Sequence, residues 1–187
     1  MITINQSVPD FELEAFQANE IKKLKLSDYK GKWIVLVFYP ADFTFVCPTE
    51  LEDLAKHYAE FQKLGAEVMS ISTDKAYTHK AWHDSSPAIA KVTYPMLADP
   101  NAKVTKLFDV YIEEEGLARR GTFIINPDGV LKTMEIHDND IGRAVTETLR
   151  KLEAAIFVRE HKGLACPANW EPGQETLKPG VDLVGKI

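Results

Sequence analysis

The sequence predicts an α/β fold around a largely parallel sheet, and three stretches carry that expectation. Residues 33–38, Trp-Ile-Val-Leu-Val-Phe, form an unbroken apolar run with β-branched members, the pattern of a strand buried on both faces. After Pro48, apolar residues recur at Leu51, Leu54, Ala55, Tyr58, Phe61 and Leu64, which share one face of a helix. Residues 66–72, Ala-Glu-Val-Met-Ser-Ile-Ser, read as a second strand, and another helix follows. Strand, helix, strand, helix is the order of a right-handed β-α-β arrangement.

The other elements follow in order. Residues 1–12, with Pro9-Asp10-Phe11, read as an entry strand or loop. Asn19 and Glu20 interrupt the next polar segment as in a short hairpin. Pro40 ends the first buried strand. Pro48 suits the first position of the long helix, where a missing N–H costs nothing, and Gly65 suits its C-terminal cap. Thr73 or Asp74 is expected to cap the helix running through Trp82. Residues 94–97 read as a short strand, Asp99-Pro100-Asn101 as a turn, residues 102–108 as a short helix and residues 113–116 as an acidic turn. Residues 122–126 and 130–136 flank Pro127-Asp128-Gly129, a strong hairpin signal. Ile141, Val145, Leu149, Leu152 and Ile156 form a helical stripe, with Asn139 or Asp140 as N-cap and Glu147 and Lys151 paired at i, i+4. Proline and glycine punctuate the rest. Residues 1–187 are thus expected to form a single domain, of which about 159–187 is an extended C-terminal tail.

The 187 residues, 45% hydrophobic and 27% charged, suffice for one sizeable core. A net charge of −6 argues against nucleic acid as a partner, and Lys22, Lys23 and Lys25 read as a solvated segment. No apolar run approaches the ~20 residues of a membrane span. The N-terminus lacks the pattern of a secretory signal, so a soluble, cytoplasmic protein is expected. His79 and His83 share helical spacing but have no third ligand nearby, so they are expected to be surface residues and no metal is expected.

Chemistry concentrates on the two cysteines, which form no Cys-x-x-Cys pair of the thioredoxin or zinc type. Cys47 precedes Pro48 and opens a helix, where unpaired N–H groups and the helix dipole favour a thiolate. Glu50 and Glu52 in the next turn oppose it, so a cation is required; Arg119, Arg120 and Arg143 are the candidates. Arg143 is expected in the first turn of the last helix. Ionisation alone is a small effect. A free cysteine is a few per cent thiolate at neutral pH, so full ionisation gains about 30-fold, roughly 2 kcal/mol. A large acceleration needs groups that stabilise the attacked substrate. The Thr44 hydroxyl, the N–H groups at the helix mouth and an arginine suit two adjacent oxygens; the simpler reading of Thr44 is an N-cap or turn hydroxyl. Cys166, also followed by proline, reads by itself as a free thiol.

Pro40, Thr44 and Cys47, within Pro-Ala-Asp-Phe-Thr-Phe-Val-Cys-Pro-Thr-Glu, resemble the Pro-x-x-x-Thr-x-x-Cys motif of the peroxiredoxins. Residues 160–170, Glu-His-Lys-Gly-Leu-Ala-Cys-Pro-Ala-Asn-Trp, resemble their resolving-cysteine segment. The ending Val-Asp-Leu-Val-Gly-Lys-Ile resembles that of the bacterial alkyl hydroperoxide reductase C subgroup. The resemblance implies a thioredoxin fold with peroxiredoxin-type insertions. It implies a thiol-dependent peroxidase for hydrogen peroxide and organic hydroperoxides, acting in antioxidant defence. Cys47 would be the peroxidatic cysteine, oxidised to sulfenic acid, and Cys166 of a partner subunit would resolve it as an interchain disulfide. That disulfide needs Cα atoms within about 7 Å, so the first turn bearing Cys47 would have to open. Thr44 and Arg120 would hold peroxide and thiolate, Pro40 would shield the site, and Glu50 and Arg143 would support it. The implied reductant is a flavoprotein disulfide reductase of the alkyl hydroperoxide reductase F type, fed by NADH, or a thioredoxin-like protein. A homodimer assembling into a decamer is implied, with no metal or bound organic cofactor.

Two other readings stand beside it: a non-enzymatic holdase or peroxide sensor, and a general disulfide oxidoreductase, against which the missing Cys-x-x-Cys argues. The chain also departs from peroxide-sensitive family members, which carry a Gly-Gly-Leu-Gly loop and a C-terminal Tyr-Phe helix. Here the loop reads Glu115-Gly116-Leu117-Ala118, and the tail ends without Tyr-Phe.

Overall fold

The computed structural model describes residues 2–186. Met1 of the entry segment and Ile187 of the terminal motif lie outside the described residues. The chain divides into two compact units, Met1–Val145 and Thr146–Ile187.

The first unit opens with a hairpin of β1 (Glu12–Gln17) and β2 (Glu20–Lys25). Its register pairs Gln17 with Glu20 across a two-residue turn, in which Ala18 and Asn19 both take positive φ. The lysines of β2 lie on an edge strand, and Lys23 and Lys25 meet Glu12. Then come β3 (Trp33–Phe38), α1 (Cys47–Lys63), β4 (Ala66–Ser72), α2 (Ala76–Ser85), β5 (Met96–Ala98) and α3 (Lys103–Leu107). A small ribbon of β6 (Tyr111–Ile112) and β7 (Leu117–Ala118) closes over the acidic turn. The hairpin of β8 (Arg120–Ile125) and β9 (Leu131–His137) follows.

Seven strands form one sheet in the order β2-β1-β5-β4-β3-β8-β9. Only β3/β4 and β4/β5 pair in parallel; the other neighbours are antiparallel, so the sheet is mixed rather than largely parallel. The β-α-β order governs the middle of the chain. The hairpins at either end bring antiparallel neighbours, which local patterns do not specify. Every residue of β3 is buried, as its apolar run predicts. Phe38, Phe108 and Phe123 form a core triad with ring centroids 4.6–5.5 Å apart. Gly121 is required beside them, because a Cβ there would meet the Phe123 ring at 2.7 Å and Val110 at 2.9 Å.

Two helix starts differ from expectation. The residue before α2 is Lys75, in extended conformation and without a side-chain cap. Asp74 is drawn elsewhere, accepting from the Ser72 hydroxyl and the Asp42 N–H. The last helix, α4 (Val145–Glu160), starts four residues after Ile141, which is 58% exposed. Asp138 holds the Asp140 and Ile141 N–H groups in a local turn, and the Arg143 N–H donates to Glu50. Arg143 therefore lies in the approach to the helix and not in its first turn.

The Ser70 hydroxyl in β4 is buried and has no hydrogen-bond partner among the described residues. An unpaired buried hydroxyl is destabilising, so Ser70→Ala raises stability by about 1 kcal/mol. Urea unfolding checks this as a higher midpoint at unchanged slope. A lower midpoint would mean that the hydroxyl is satisfied.

The second unit holds α4 from Thr146 onward and the tail. The tail carries an isolated bridge between Ala165 and Leu177 and a short 3-10 turn at Val181–Leu183.

Candidate active site

Cys47 is the first residue of α1, with Pro48 behind it and Val46 at the N-cap. The Thr49 and Glu50 N–H groups both return to the Val46 carbonyl, so the turn closes under the cysteine. Its thiol is fully buried and free. The loop from β3 to α1 presents it. Pro40 is buried at the end of β3, and Phe43 adopts a positive φ of 56°, a strained conformation for a bulky residue. The Thr44 hydroxyl donates to the Ala41 carbonyl at 2.8 Å. This is the turn hydroxyl of the simpler reading, and with its proton so committed the oxygen offers lone pairs as an acceptor.

Of the three arginine candidates, Arg120 reaches the thiol. It starts β8, is 3% exposed, and its Nη1 donates to Cys47 Sγ at 3.4 Å and to Glu50 Oε2 at 2.7 Å. Its Nε donates to the Asn139 carbonyl at 2.9 Å, which fixes the plane of the guanidinium. Arg143 instead clamps Glu50. Its backbone N–H and Nε reach Oε1 at 2.8 and 2.9 Å, and its Nη2 reaches Oε2 at 2.9 Å. Arg143 Nη1 donates to the Gly121 carbonyl and the Thr122 hydroxyl, tying the clamp to β8. Arg119 is exposed, and Glu52 is engaged at the helix surface by Lys91 and Lys56, away from this cluster.

The electrostatics follow from the count of charges. Burial pushes the Glu50 carboxyl up, but the hydrogen bonds and charge of Arg143, with the charge of Arg120, outweigh it and hold the group below its ordinary value. Glu50 is therefore a carboxylate at neutral pH. Among the described residues it is the one carboxylate paired with these two guanidiniums. One buried positive charge is left over, and it faces Cys47 Sγ. A thiolate at that position completes the neutralisation.

A second buried network braces the loop. The Tyr39 hydroxyl donates to Asp42 Oδ1 at 2.7 Å, and His79 Nδ1 meets Asp42 Oδ2 at 2.7 Å. His79 Nε2 lies 3.1 Å from the Leu97 carbonyl, which only accepts, so Nε2 carries a hydrogen. Burial, then the neighbouring Asp42 charge, pushes the Tyr39 phenol well above its ordinary value, so it acts as a neutral donor. His79 is thus a core residue, not a surface one, and His83 packs edge-on against Phe16. The i, i+4 spacing of the two histidines carries no information about Asp42, which lies 37 positions from His79. No group of three or more His, Cys, Asp or Glu side chains placed to hold a metal ion occurs among the described residues.

Cys166 belongs to the second unit and is half-buried and free. Its Sγ lies 3.9 Å from the Ala154 carbonyl, to which the thiol donates.

Residues 4–134 match the AhpC/TSA family, and residues 157–186 match the C-terminal domain of 1-Cys peroxiredoxin. The chain is 52% identical over 187 residues to alkyl hydroperoxide reductase C of Pseudomonas aeruginosa, covering 100% of both chains. It superposes on the crystal structure of Enterococcus faecalis AhpC with a TM-score of 0.87 at 49% identity, covering 89% of this chain and 100% of that one. With the reduced 2-Cys peroxiredoxin of Plasmodium vivax the TM-score is 0.92 at 31% identity, covering 96% and 94%. The mixed sheet with its flanking helices is accordingly the thioredoxin-like fold of these proteins. Sequence, fold and the buried cysteine at the mouth of α1 lead to one assignment: the chain belongs to the AhpC/TSA family of peroxiredoxins.

Proposed function

We propose that this chain is a thiol-dependent peroxidase in which Cys47 attacks hydrogen peroxide and organic hydroperoxides. The observation that carries the reading is the buried thiol facing the uncompensated charge of Arg120. The Cys47 thiolate takes the distal oxygen, the O–O bond breaks, and the alkoxide or hydroxide leaves and is protonated. Cysteine becomes sulfenic acid and the peroxide becomes alcohol or water. Arg120 stabilises the charge that moves from sulfur to the departing oxygen, the Thr44 oxygen accepts from the peroxide O–H, and Pro40 covers the site. Glu50 and Arg143 hold Arg120 in aim.

Cys166 of a partner subunit then condenses with the sulfenic acid, releasing water and forming an interchain disulfide. Because Cys47 is fully buried, the first turn of α1 must open for this, and the strained Phe43 backbone favours a low cost of opening. A separate flavoprotein disulfide reductase drawing on NADH, or a thioredoxin-like protein, returns the electrons, and no group need be bound to this chain. Assembly as a homodimer is supported by the sheet edge at β9, with Met134 and Ile136 exposed. Assembly of dimers into a decamer is supported by the exposed Phe43, Phe45 and Tyr77. A reducing cytoplasm suits two free thiols that cycle. No helix among the described residues is long and apolar enough to cross a membrane.

Non-reducing electrophoresis after a peroxide pulse tests the reading. A disulfide-linked dimer appears in the wild type and is lost in both Cys47→Ser and Cys166→Ser. A dimer that persists in either variant contradicts it. The loop that reads Glu115-Gly116-Leu117-Ala118 in place of Gly-Gly-Leu-Gly gives a further expectation. Disulfide formation outpaces overoxidation, so Cys47 resists conversion to sulfinic acid in excess peroxide. Mass spectrometry after turnover checks it, and ready accumulation of sulfinate at Cys47 is the contrary result.

A further inference from the structure

The second unit holds a polar cluster that the site around Cys47 does not use. Glu147, Arg150, Ala154, Phe157 and His161 follow one another at spacings of three and four, and the first four define one face of α4. The tail folds back along that face. Trp170 is 2% exposed and packs its ring against Phe157 at a centroid distance of 4.8 Å. Its Nε1–H donates to the Gln174 carbonyl, and the Ala165 and Leu177 backbones bond each other at 2.8 and 2.9 Å. The segment between them is thereby closed into a loop, and Cys166 is its first residue, just after the bridge. The S–H of Cys166 is spent on the Ala154 carbonyl, so the resting group is a thiol.

Arg150 links helix and tail. Its Nη1 donates to the Trp170 carbonyl at 3.4 Å and its Nη2 to Glu147 Oε2 at 3.4 Å. Charged and titratable groups on this helix face include Arg150, its partner Glu147 and His161, whose ring is stacked on Phe157 at 4.1 Å and bonded to the Phe157 carbonyl; Lys151, Glu153 and Arg159 lie on the same helix, and Lys162, Glu171, Glu175 and Lys178 on the tail. Burial pushes the Cys166 thiol up, and the Arg150 charge pulls it the other way without overcoming burial.

We propose that Arg150 is a positioning residue for the resolving step: its side-chain cation holds the tail against α4 and sets a positive charge beside Cys166 for the moment the thiol proton leaves. This rests on the reading of Cys166 as the resolving thiol. In that step the Cys166 sulfur gives up its proton and attacks the Cys47 sulfenic sulfur of the other subunit. The S–S bond forms, the S–O bond breaks, and the departing hydroxide takes a proton to become water. Removing the charge makes the thiol a weaker acid. Each tenfold loss of thiolate fraction is partly offset, because the more basic thiolate is the better nucleophile, with a Brønsted slope of about 0.4–0.5. The net slowing at neutral pH is about threefold.

The test uses the full-length protein as wild type, Arg150→Met and Arg150→Lys. Quenched-flow mass spectrometry separates the appearance of Cys47 sulfenate from that of the Cys47–Cys166 disulfide. A second measurement follows Cys166 alkylation against pH in a Cys47→Ser background. Arg150→Met is expected to form sulfenate at the wild-type rate and disulfide about threefold more slowly, with the alkylation midpoint moved to higher pH. Arg150→Lys, which keeps the charge, restores both. A wild-type midpoint and disulfide rate in Arg150→Met overturn the proposal. So does an Arg150→Lys as impaired as Arg150→Met, which assigns the loss to the shape of the fork. A wild type that forms no Cys47–Cys166 disulfide overturns the reading of Cys166 itself, and the alkylation midpoint distinguishes that failure from the other two.

Discussion

Cys47→Ser abolishes hydroperoxide reduction, with turnover falling by on the order of 10⁵-fold or more, while the fold persists. The substitution is nearly isosteric in a fully buried position, and Arg120 can donate to the serine oxygen as it does to sulfur. What disappears is the nucleophile. A serine hydroxyl stays protonated beside Arg120, and no general base is paired with it: Glu50 already spends both oxygens on Arg120 and Arg143. Ionisation of the thiol is a roughly 2 kcal/mol matter, so the rest of the rate belongs to sulfur attacking a peroxide oxygen whose leaving partner is stabilised in place. Steady-state peroxide consumption with reductase in excess measures the loss. A variant within tenfold of wild type would place the chemistry elsewhere.

Glu50→Ala has the largest expected effect on stability. Glu50 is 4% exposed and accepts four hydrogen bonds from two buried guanidiniums and the Arg143 backbone. Removing it leaves Arg120 and Arg143 buried without their carboxylate, which costs about 3–5 kcal/mol. Glu50→Gln keeps the volume and one acceptor oxygen and costs less, about 1–3 kcal/mol. Peroxidase activity falls in both, because Arg120 loses one of the bonds that fix it. The pH dependence has a definite sign. The folded carboxyl lies below its ordinary value, so its contribution is fully present above the usual carboxylate range and is lost as pH falls through the lower folded value. The difference in unfolding free energy between wild type and Glu50→Gln therefore shrinks in acid. A difference independent of pH would mean that the carboxylate charge is not what the arginines hold.

The local part of this site is legible in the sequence. The unbroken apolar run of β3, the stripe of α1, Pro48 and Gly65 are short-range signals, and their elements lie where those signals place them. Cys47 at a helix mouth and the need for a cation beside it can be read from residues 47–52, with Arg120 as one of three possibilities. The choice among the three depends on β8 pairing beside β3, a contact between residues far apart in the chain. Local signals misplace the start of α4 for the same reason. Asn139 and Asp140 are good capping residues, but Glu50 captures the Arg143 N–H and the chain stays irregular until Val145. The antiparallel hairpins flanking the parallel strands are likewise set by packing. The burial of His79 leaves no local trace, because its partners Asp42 and Leu97 come from a loop and a strand with no periodic relation to it.

In the proposed function Cys47, aimed by Arg120, takes one oxygen atom from the peroxide. Single turnover of Cys166→Ser with one equivalent of an organic hydroperoxide tests it most directly. Without Cys166, the resolving thiol of the proposed function, the reaction is expected to stop at the sulfenic acid. One oxygen atom gained at Cys47 and trapped by a sulfenic-acid reagent, with one equivalent of alcohol released, is the predicted result. Alcohol released with Cys47 unmodified, or oxygen gained at another residue, would contradict it.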